Sequence, residues 1–238
     1  MEEEQDYKQF LDSDYPLLEK FREIAPGSFK HSQNVADMCE LIAKELDLDS
    51  NLMKVAGLYH DVGKMLNPQM FAENQDEENP HDKLKPDISY QIISRHLSDS
   101  ILILFNYNFP VDVIKMVSQH HGNTVVKYFF DKSKSEIEDN YRYKCKQPET
   151  DEAAILMIVD SVEATARSLA SVNGKMENSE KRHAVVDNII MRLEEDGQLD
   201  NIKVGVLKVI RKVLYKELDS LYHRRVAYPE EEEIVKEE

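Results

Sequence analysis

The sequence predicts an all-α fold, a helical bundle interrupted by two long functional loops. Apolar residues recur every three or four positions along most of the 238-residue chain, which is the spacing of one helix face. No sustained strand alternation is found, and only 7 glycines and 8 prolines interrupt the pattern. The two loops, 65–86 and 131–148, are polar and longer than most connections in compact domains, so we expect them to serve function.

The first two core helices are predicted around the segments 35–46 and 52–59, where apolar residues follow helical spacing. The first is expected to open at His31, directly after a turn at Pro26-Gly27. The second is expected to end at Gly63, because glycine commonly follows a helix C-terminus.

The remaining helices are predicted to span 88–96, 113–121, 152–170, 181–195 and 204–222. In this prediction His96 ends the first of them, and the adjacent His120 and His121 end the second. Asp160 lies inside the third, which is strongly apolar. Most core helices therefore carry at least one histidine or aspartate beside an apolar face.

The chain is interpreted as one domain over 1–228, because no internal repeat or low-complexity linker divides it. Segment 1–14 is predicted to be linker-like. The segment 229–238 is mostly glutamate and is predicted to be a disordered acidic tail.

The net charge of −16 argues against a nucleic-acid polymer or an anionic membrane surface as partner, since both need a basic face. A phosphate substrate would then need strong local positive charge, for which bound metal ions are the obvious source. Apolar runs such as Ile101–Phe105 are far shorter than the ~20 residues of a spanning helix. With no signal peptide after Met1, and with Cys39 and Cys145 outside any paired spacing, we expect a cytoplasmic location.

Seven residues form the candidate metal-ligand set: His31, His60, Asp61, His96, His120, His121 and Asp160. Taken singly, a histidine at a helix C-terminus more often stabilises the helix dipole than binds metal. Asp160 is harder to explain without a partner, because an isolated carboxylate on an apolar helix face is costly. His120 and His121 diverge by ~100° on a helix, so they converge on one site only at a helix end or bend.

The donor set is all imidazole and carboxylate, which suits iron, manganese or zinc and argues against a cysteine-built structural zinc site. Five histidines and two aspartates are too many for one ion but suffice for two ions bridged by a carboxylate and a water. A pair of ions ~3.5–4 Å apart is a known device for in-line displacement at phosphorus, with the bridging hydroxide attacking. We therefore expect two divalent cations, with Mn²⁺ or Fe²⁺ as the first choice and zinc left open by the donor set.

His31, the pair His60-Asp61 and Asp160 resemble the H…HD…D signature of the HD superfamily of metal-dependent phosphohydrolases. The closer resemblance is to the HD domain of the seven-transmembrane-receptor HD phosphodiesterases, the PgpH type, which cleave cyclic di-AMP to the linear dinucleotide. The matching segments are 15–32, 59–64, 73–75, 79–84, 119–122, 126–129, 160–164 and 167–168. The resemblance implies an HD-domain helical bundle and a cyclic dinucleotide as the small-molecule partner.

The resemblance also implies roles for these residues. One ion would be held by His31, His60 and Asp160, the other by His96, His120 and His121, with Asp61 as the bridge. Lys64, in the HD-x-G-K pattern, would contact phosphate, so Asp61 and Lys64 are the predicted catalytic residues. Members of this type usually carry membrane helices before the domain, so this chain is expected to be an excised cytoplasmic domain or a free-standing relative.

The two loops are predicted to hold the rest of the substrate. The candidate substrate-binding residues are Lys64, His81, Lys83, Tyr141, Tyr143 and Arg167. His81 is expected to be exposed in a polar loop, where no packing reason for a histidine is evident. Tyr141 and Tyr143 could stack on a base, which is worth about 1–3 kcal/mol, or could pack their loop onto the core.

The sequence is also compatible with two other functions. Another HD hydrolase is one: cyclic di-GMP enzymes of the HD-GYP type carry Gly-Tyr-Pro after their paired histidines, whereas Gly122 is followed here by Asn123 and Thr124. Ordinary nucleotidases of the superfamily often bind one ion and lack the three additional histidines. The second competitor is a non-catalytic nucleotide-sensing module, which metal content and a turnover assay would distinguish from an enzyme.

Overall fold

The computed structural model describes residues 6–75, 78–170 and 176–223, so the predicted acidic tail 229–238 lies outside the described residues. Within these ranges the regular structure is helical, as predicted, with one isolated bridge between Val125 and Arg142. The α-helices are α1 (Pro16–Ile24), α2 (Pro26–Leu46), α3 (Ser50–Tyr59), α4 (Pro86–Asn106), α5 (Val111–Gln119), α6 (Lys127–Ser133), α7 (Asp151–Ala170), α8 (Ser179–Glu195) and α9 (Val204–His223). No helix in the described ranges is both long and apolar enough to span a membrane.

Helices α2 and α3 separate two hydrophobic clusters. Val35 and Ile42 of α2 and Met53 of α3 pack into the larger cluster with the apolar faces of α7, α8 and α9. Ala36 of α2 and Tyr59 of α3 face the other way, into a smaller cluster with the N-terminal segment, α1, α4 and α5. Helices α2 and α3 are thus buried on two sides, which fixes the position of His31 within α2 and of His60 and Asp61 directly after α3.

Three predicted helix boundaries were wrong. Helix α2 begins at Pro26, which suits the first helical position, so His31 lies inside the helix rather than at its start. Helix α3 ends at Tyr59, and Gly63 lies in the following 3-10 turn, Val62–Leu66, where it does not terminate a helix. His96 lies in the middle of α4, because buried Leu97 and Leu104 continue the inward face well beyond it.

The described part of the segment 1–14 packs on the domain instead of extending from it as a linker would. Tyr7 and Phe10 are buried in the smaller cluster, and the Tyr7 hydroxyl donates to Asp112 at the start of α5. The division of the chain into domains otherwise stays a prediction.

The two predicted loops contain short 3-10 turns. The first holds turns at Pro68–Met70, Ala72–Asn74 and Pro80–Lys83, and lies against the N-terminus of α2. There the Asn74 side chain accepts hydrogen bonds from the backbone of Gly27 and Ser28 at 2.9 and 3.1 Å. The second loop begins within α6 and runs to α7, with a 3-10 turn at Glu138–Tyr141.

Candidate metal centre

The structure brings all seven predicted ligands together from five places in the chain. They are His31 on α2, His60 and Asp61 directly after α3, His96 on α4, His120 and His121 directly after α5, and Asp160 on α7. Six of the seven are buried, and His121 is half-buried. The candidate site therefore lies where the helix bundle converges and opens to solvent on the His121 side.

The Asp61 carboxylate lies between two groups of ligands. Its Oδ2 atom is 3.2 Å from His60 Nε2 and 3.6 Å from His31 Nε2. Its Oδ1 atom is 3.4 Å from His96 Nε2 and 4.0 Å from His120 Nε2. Each oxygen thus faces a different set of imidazoles, as a bridging carboxylate would.

The two groups can each surround one cation. One is His31, His60, Asp61 and Asp160, the other is Asp61, His96, His120 and His121, and within each group the donor atoms lie within 4.8 Å of one another. His121 also links the groups, since its Nε2 is 3.2 Å from His96 Nε2 and its Nδ1 is 3.7 Å from Asp160 Oδ2.

Backbone carbonyls orient three of the histidines. The Nδ1 atoms of His60, His96 and His120 donate to the carbonyl oxygens three residues earlier, at 2.8, 2.6 and 2.7 Å. Because a carbonyl oxygen only accepts, each Nδ1 carries the hydrogen and each Nε2 is directed toward Asp61 as the candidate ligand atom.

The end of α5 explains how two adjacent histidines reach one centre. The helix stops at Gln119, and Gly122 adopts a positive φ of 51° that turns the chain sharply. His120 and His121 lie in this turn with ring centroids 4.0 Å apart, so they do not diverge as they would within a helix. The prediction that they converge only at a helix end is confirmed.

Burial and neighbouring charges keep His96, His120 and His121 in the form that binds a metal ion. Burial, with help from the charge of His60, lowers the pKa of His120 to about 3. Burial likewise lowers the pKa of His96 and brings that of His121 well below its usual range. The three imidazoles are therefore neutral, which is the form that binds a cation.

The group of His31, His60, Asp61 and Asp160 contains two carboxylates and is therefore richer in negative charge. Burial alone would raise the pKa of Asp61, but Lys64 and His60 hold it well below its usual range. Burial lowers the pKa of His60, yet Asp61 and Asp160 outweigh that effect and raise it to about 10. His60 thus keeps a proton between two carboxylates, and a cation could supply that positive charge instead.

Unpaired buried atoms also fit a metal pair. Within the described part of the chain, the buried atoms without a hydrogen-bond partner include His60 Nε2, Asp61 Oδ1 and His120 Nε2. Leaving such atoms unpaired costs free energy, and all three are directed at the centre of the site. The donor chemistry, the charge and these atoms together fit two divalent cations held around Asp61.

Glu163 is a site residue that the sequence analysis did not identify. It lies one helical turn after Asp160 on α7, is buried, and accepts a hydrogen bond from His31 Nδ1. Asn34 donates to its other oxygen at 2.8 Å and fixes the carboxylate. The signal was available, because a second carboxylate three residues after Asp160 falls on the same helix face.

Lys64 is buried between two carboxylates rather than exposed at a helix end. Its Nζ lies 2.7 Å from Asp61 Oδ2 and 2.8 Å from Glu73 Oε1. Ser28, at the start of α2, donates to the same Glu73 oxygen at 2.8 Å. Glu73 therefore connects the first loop to Asp61 through Lys64, a role that the sequence analysis did not assign.

The other predicted substrate residues are dispersed. Lys83 is exposed and pairs with Glu78, and Arg167 pairs with Glu163 at 3.3 Å. Tyr141 is buried and donates to Asp87, so it packs the second loop onto α4 rather than offering a free face.

Tyr143 is the one member of this set with an aromatic contact to the candidate ligands. Its ring stacks on that of His121 at a centroid distance of 4.3 Å, and it is buried. For both tyrosines the packing alternative describes the structure better than stacking on a base.

The prediction that His81 is exposed was wrong. Its side chain is 4% exposed, donates from Nε2 to the Met70 carbonyl at 2.8 Å, and packs against the Phe129 ring. These contacts join the first loop to α6, and they come from residues distant in sequence.

We expect His81→Ala to lower the free energy of unfolding by about 1–3 kcal/mol, through loss of a buried hydrogen bond and ring packing. Urea denaturation measures the change. A variant as stable as the wild type, but with a raised KM, would restore the substrate role that the sequence suggested.

The chain is similar to known proteins over most of its length. The family model described as HD domain matches residues 28–165. The chain is 38% identical over 232 residues to the cyclic-di-AMP phosphodiesterase PgpH of Listeria monocytogenes, covering 94% of this chain and 32% of that protein. It is 36% identical over 229 residues to the cyclic-di-AMP phosphodiesterase PgpH of Bacillus subtilis, covering 93% of this chain and 32% of that protein.

A solved structure agrees in fold. The L. monocytogenes PgpH HD domain in complex with cyclic-di-AMP matches with a TM-score of 0.82 and 39% identity, covering 90% of this chain and all of that one. The chain spans about a third of the length of the curated relatives it matches.

Proposed function

Because this chain belongs to the HD domain family, we propose that it is a metal-dependent phosphodiesterase that hydrolyses a cyclic dinucleotide. Cyclic di-AMP is the proposed substrate and linear pApA the proposed product. Two similar proteins are cyclic-di-AMP phosphodiesterases, and the similar PgpH HD domain is in complex with cyclic-di-AMP, which supports this proposal. The proposed location is the cytoplasm, with no nucleic-acid polymer or membrane as partner.

The observation that carries the proposal is the Asp61 carboxylate, whose two oxygens face separate groups of imidazoles. His31, His60 and Asp160 would hold one Mn²⁺ or Fe²⁺, and His96, His120 and His121 the other. The chemistry that such cations supply when bound is activation of water and neutralisation of charge on a phosphodiester. The chain itself fixes three of the imidazoles through backbone carbonyls and buries six of the seven candidate ligands.

We expect Lys64→Met to slow turnover by about 10²–10³-fold while the metal content stays normal. The loss corresponds to about 2.7–4 kcal/mol of transition-state stabilisation, the scale for one donor at a reacting centre. The ammonium lies 2.7 Å from Asp61, so it can orient that carboxylate and offer charge to a phosphate beside it. Steady-state kinetics and metal analysis measure the two effects, and turnover within about threefold of wild type would refute the assignment.

The experiment that tests the function incubates the Mn²⁺-loaded protein with cyclic di-AMP, cyclic di-GMP and a mixed cyclic dinucleotide, with products separated by chromatography. We expect cleavage of cyclic di-AMP to the linear dinucleotide and no cleavage after chelation. Tight binding of a dinucleotide without turnover would instead favour the nucleotide-sensing module.

A further inference from the structure

A cavity of about 570 Å³ opens beside the metal centre, between α7, α8 and the chain that follows α5. His121 and Asp160 line it, so the cavity is continuous with the candidate ligands. The volume lies within the ~300–1,000 Å³ range of small-molecule sites. A ligand with one end at the metal centre could therefore extend into this space.

One face of α7 and one face of α8 line the cavity. The lining residues are Ser161, Ala164 and Thr165 on α7, and Ile189, Arg192 and Leu193 on α8. Each trio has the spacing i, i+3, i+4, which places its members on a single face. Ile189 and Leu193 are buried apolar residues, whereas Ser161 and Thr165 add hydroxyls, so the cavity offers both an apolar surface and polar groups.

Arginine and lysine side chains line the cavity at three positions, and two of the three already form ion pairs with acidic residues. Arg142 lies 2.8 Å from Asp196 and also contacts Glu138, so its guanidinium is part of the wall. Lys127 pairs with Asp131 at 3.0 Å. Arg192 is exposed and has no ion-pair partner among the residues that the structure describes. Its guanidinium is therefore available to an anion in the cavity.

We propose that Arg192 binds the phosphate of the cyclic dinucleotide that is not being cleaved, in this cavity between α7 and α8. The inference rests on the proposed function. A cyclic dinucleotide carries two phosphates on opposite sides of its ring, so the second is held away from the metal centre when the first is bound there. A guanidinium matches a phosphate bidentately, and it supplies local positive charge in a chain of net charge −16.

The apolar part of the cavity suits a nucleobase. Ile189 and Leu193 flank Arg192 on the same face of α8, so a base could lie against them while its neighbouring phosphate meets the guanidinium. This surface would select for dinucleotides over diesters that lack a second nucleotide. Arg192 is thus a specificity-determining residue rather than a catalytic one.

The test compares wild type, Arg192→Ala and Arg192→Lys, all Mn²⁺-loaded, on cyclic di-AMP and on bis(p-nitrophenyl) phosphate, which has one phosphate and no base. Lys208→Ala is the charge-matched control, because Lys208 is exposed on α9 outside the cavity lining. For Arg192→Ala we expect the KM for cyclic di-AMP to rise about tenfold with kcat within about twofold, since one charged hydrogen-bond donor is lost at a partly exposed position.

Arg192→Lys should keep part of the affinity, and the constants for bis(p-nitrophenyl) phosphate should not change in any variant. Calorimetric binding of a slowly hydrolysed phosphorothioate analogue of cyclic di-AMP should weaken in parallel with the rise in KM. Unchanged KM and affinity in Arg192→Ala would overturn the inference alone, as would an equal loss on both substrates. If the wild type cleaves neither diester, the proposed function fails and the inference fails with it.

Discussion

Asp61→Asn is expected to abolish metal binding at both positions and to reduce diester hydrolysis by about a thousandfold or more. Asparagine keeps the shape of the side chain but removes the charge and one strong donor oxygen. Because the two oxygens of Asp61 face different imidazole groups, one substitution affects both. Loss of several kcal/mol of stabilisation at the reacting centre corresponds to this change in rate.

Metal analysis and steady-state kinetics on the same samples measure the effect. Asp37→Asn makes the same chemical change on the exposed surface of α2 and should leave both quantities at the wild-type level. His31→Ala should weaken chiefly one of the two ions, since His31 belongs to one group. An Asp61→Asn protein that retains two ions and most of its activity would remove Asp61 from the bridging position.

Gly63→Ala is expected to destabilise the fold by about 3 kcal/mol and to disturb the centre at the same time. A Cβ atom at Gly63 would lie 2.2 Å from the His96 carbonyl oxygen and 2.5 Å from the Ser100 amide nitrogen. Both atoms belong to the backbone of α4, so rotation of a side chain cannot relieve the contact. The chain after Asp61 would have to move away from the helix that carries His96.

Gly205 provides the matched control for this prediction. It lies at the start of α9 with open space around it, so Gly205→Ala should leave stability unchanged or raise it by up to about 1 kcal/mol. Chemical denaturation of both variants gives the comparison. If the free energy of unfolding of Gly63→Ala lies within about 0.5 kcal/mol of the wild-type value, the backbone of α4 does not pack closely against Gly63.

The all-helical class and the seven residues that converge on the candidate site could be predicted from the sequence. Individual residues show why. Asp160 interrupts an apolar helix face, and burial of a carboxylate there requires positive charge. His120 and His121 precede a glycine, and the positive φ of Gly122 provides the helix end that their convergence needs. The proposal that Asp61 bridges two cations came from the resemblance to a family rather than from spacing alone.

The burial of His81 and the positions of His96 and Arg192 depend on tertiary contacts, which could not be predicted from the sequence. The burial of His81 depends on the Met70 carbonyl and the Phe129 ring, which meet only when the first loop folds against α6. The position of His96 in the middle of α4 depends on apolar residues that continue the helix beyond it. Arg192 belongs to no motif in the sequence, and only the packing of α8 against α7 places it in the wall of the cavity that His121 and Asp160 also line.

The most direct test of the central claim is the number of cations that the wild-type chain binds. Metal-free protein is titrated with Mn²⁺, freed of excess ion, and analysed for bound metal per chain. The arrangement of two donor groups around Asp61 predicts a plateau of two ions per chain. A plateau at one ion, or none, under saturating Mn²⁺ and again under Fe²⁺, would contradict the account.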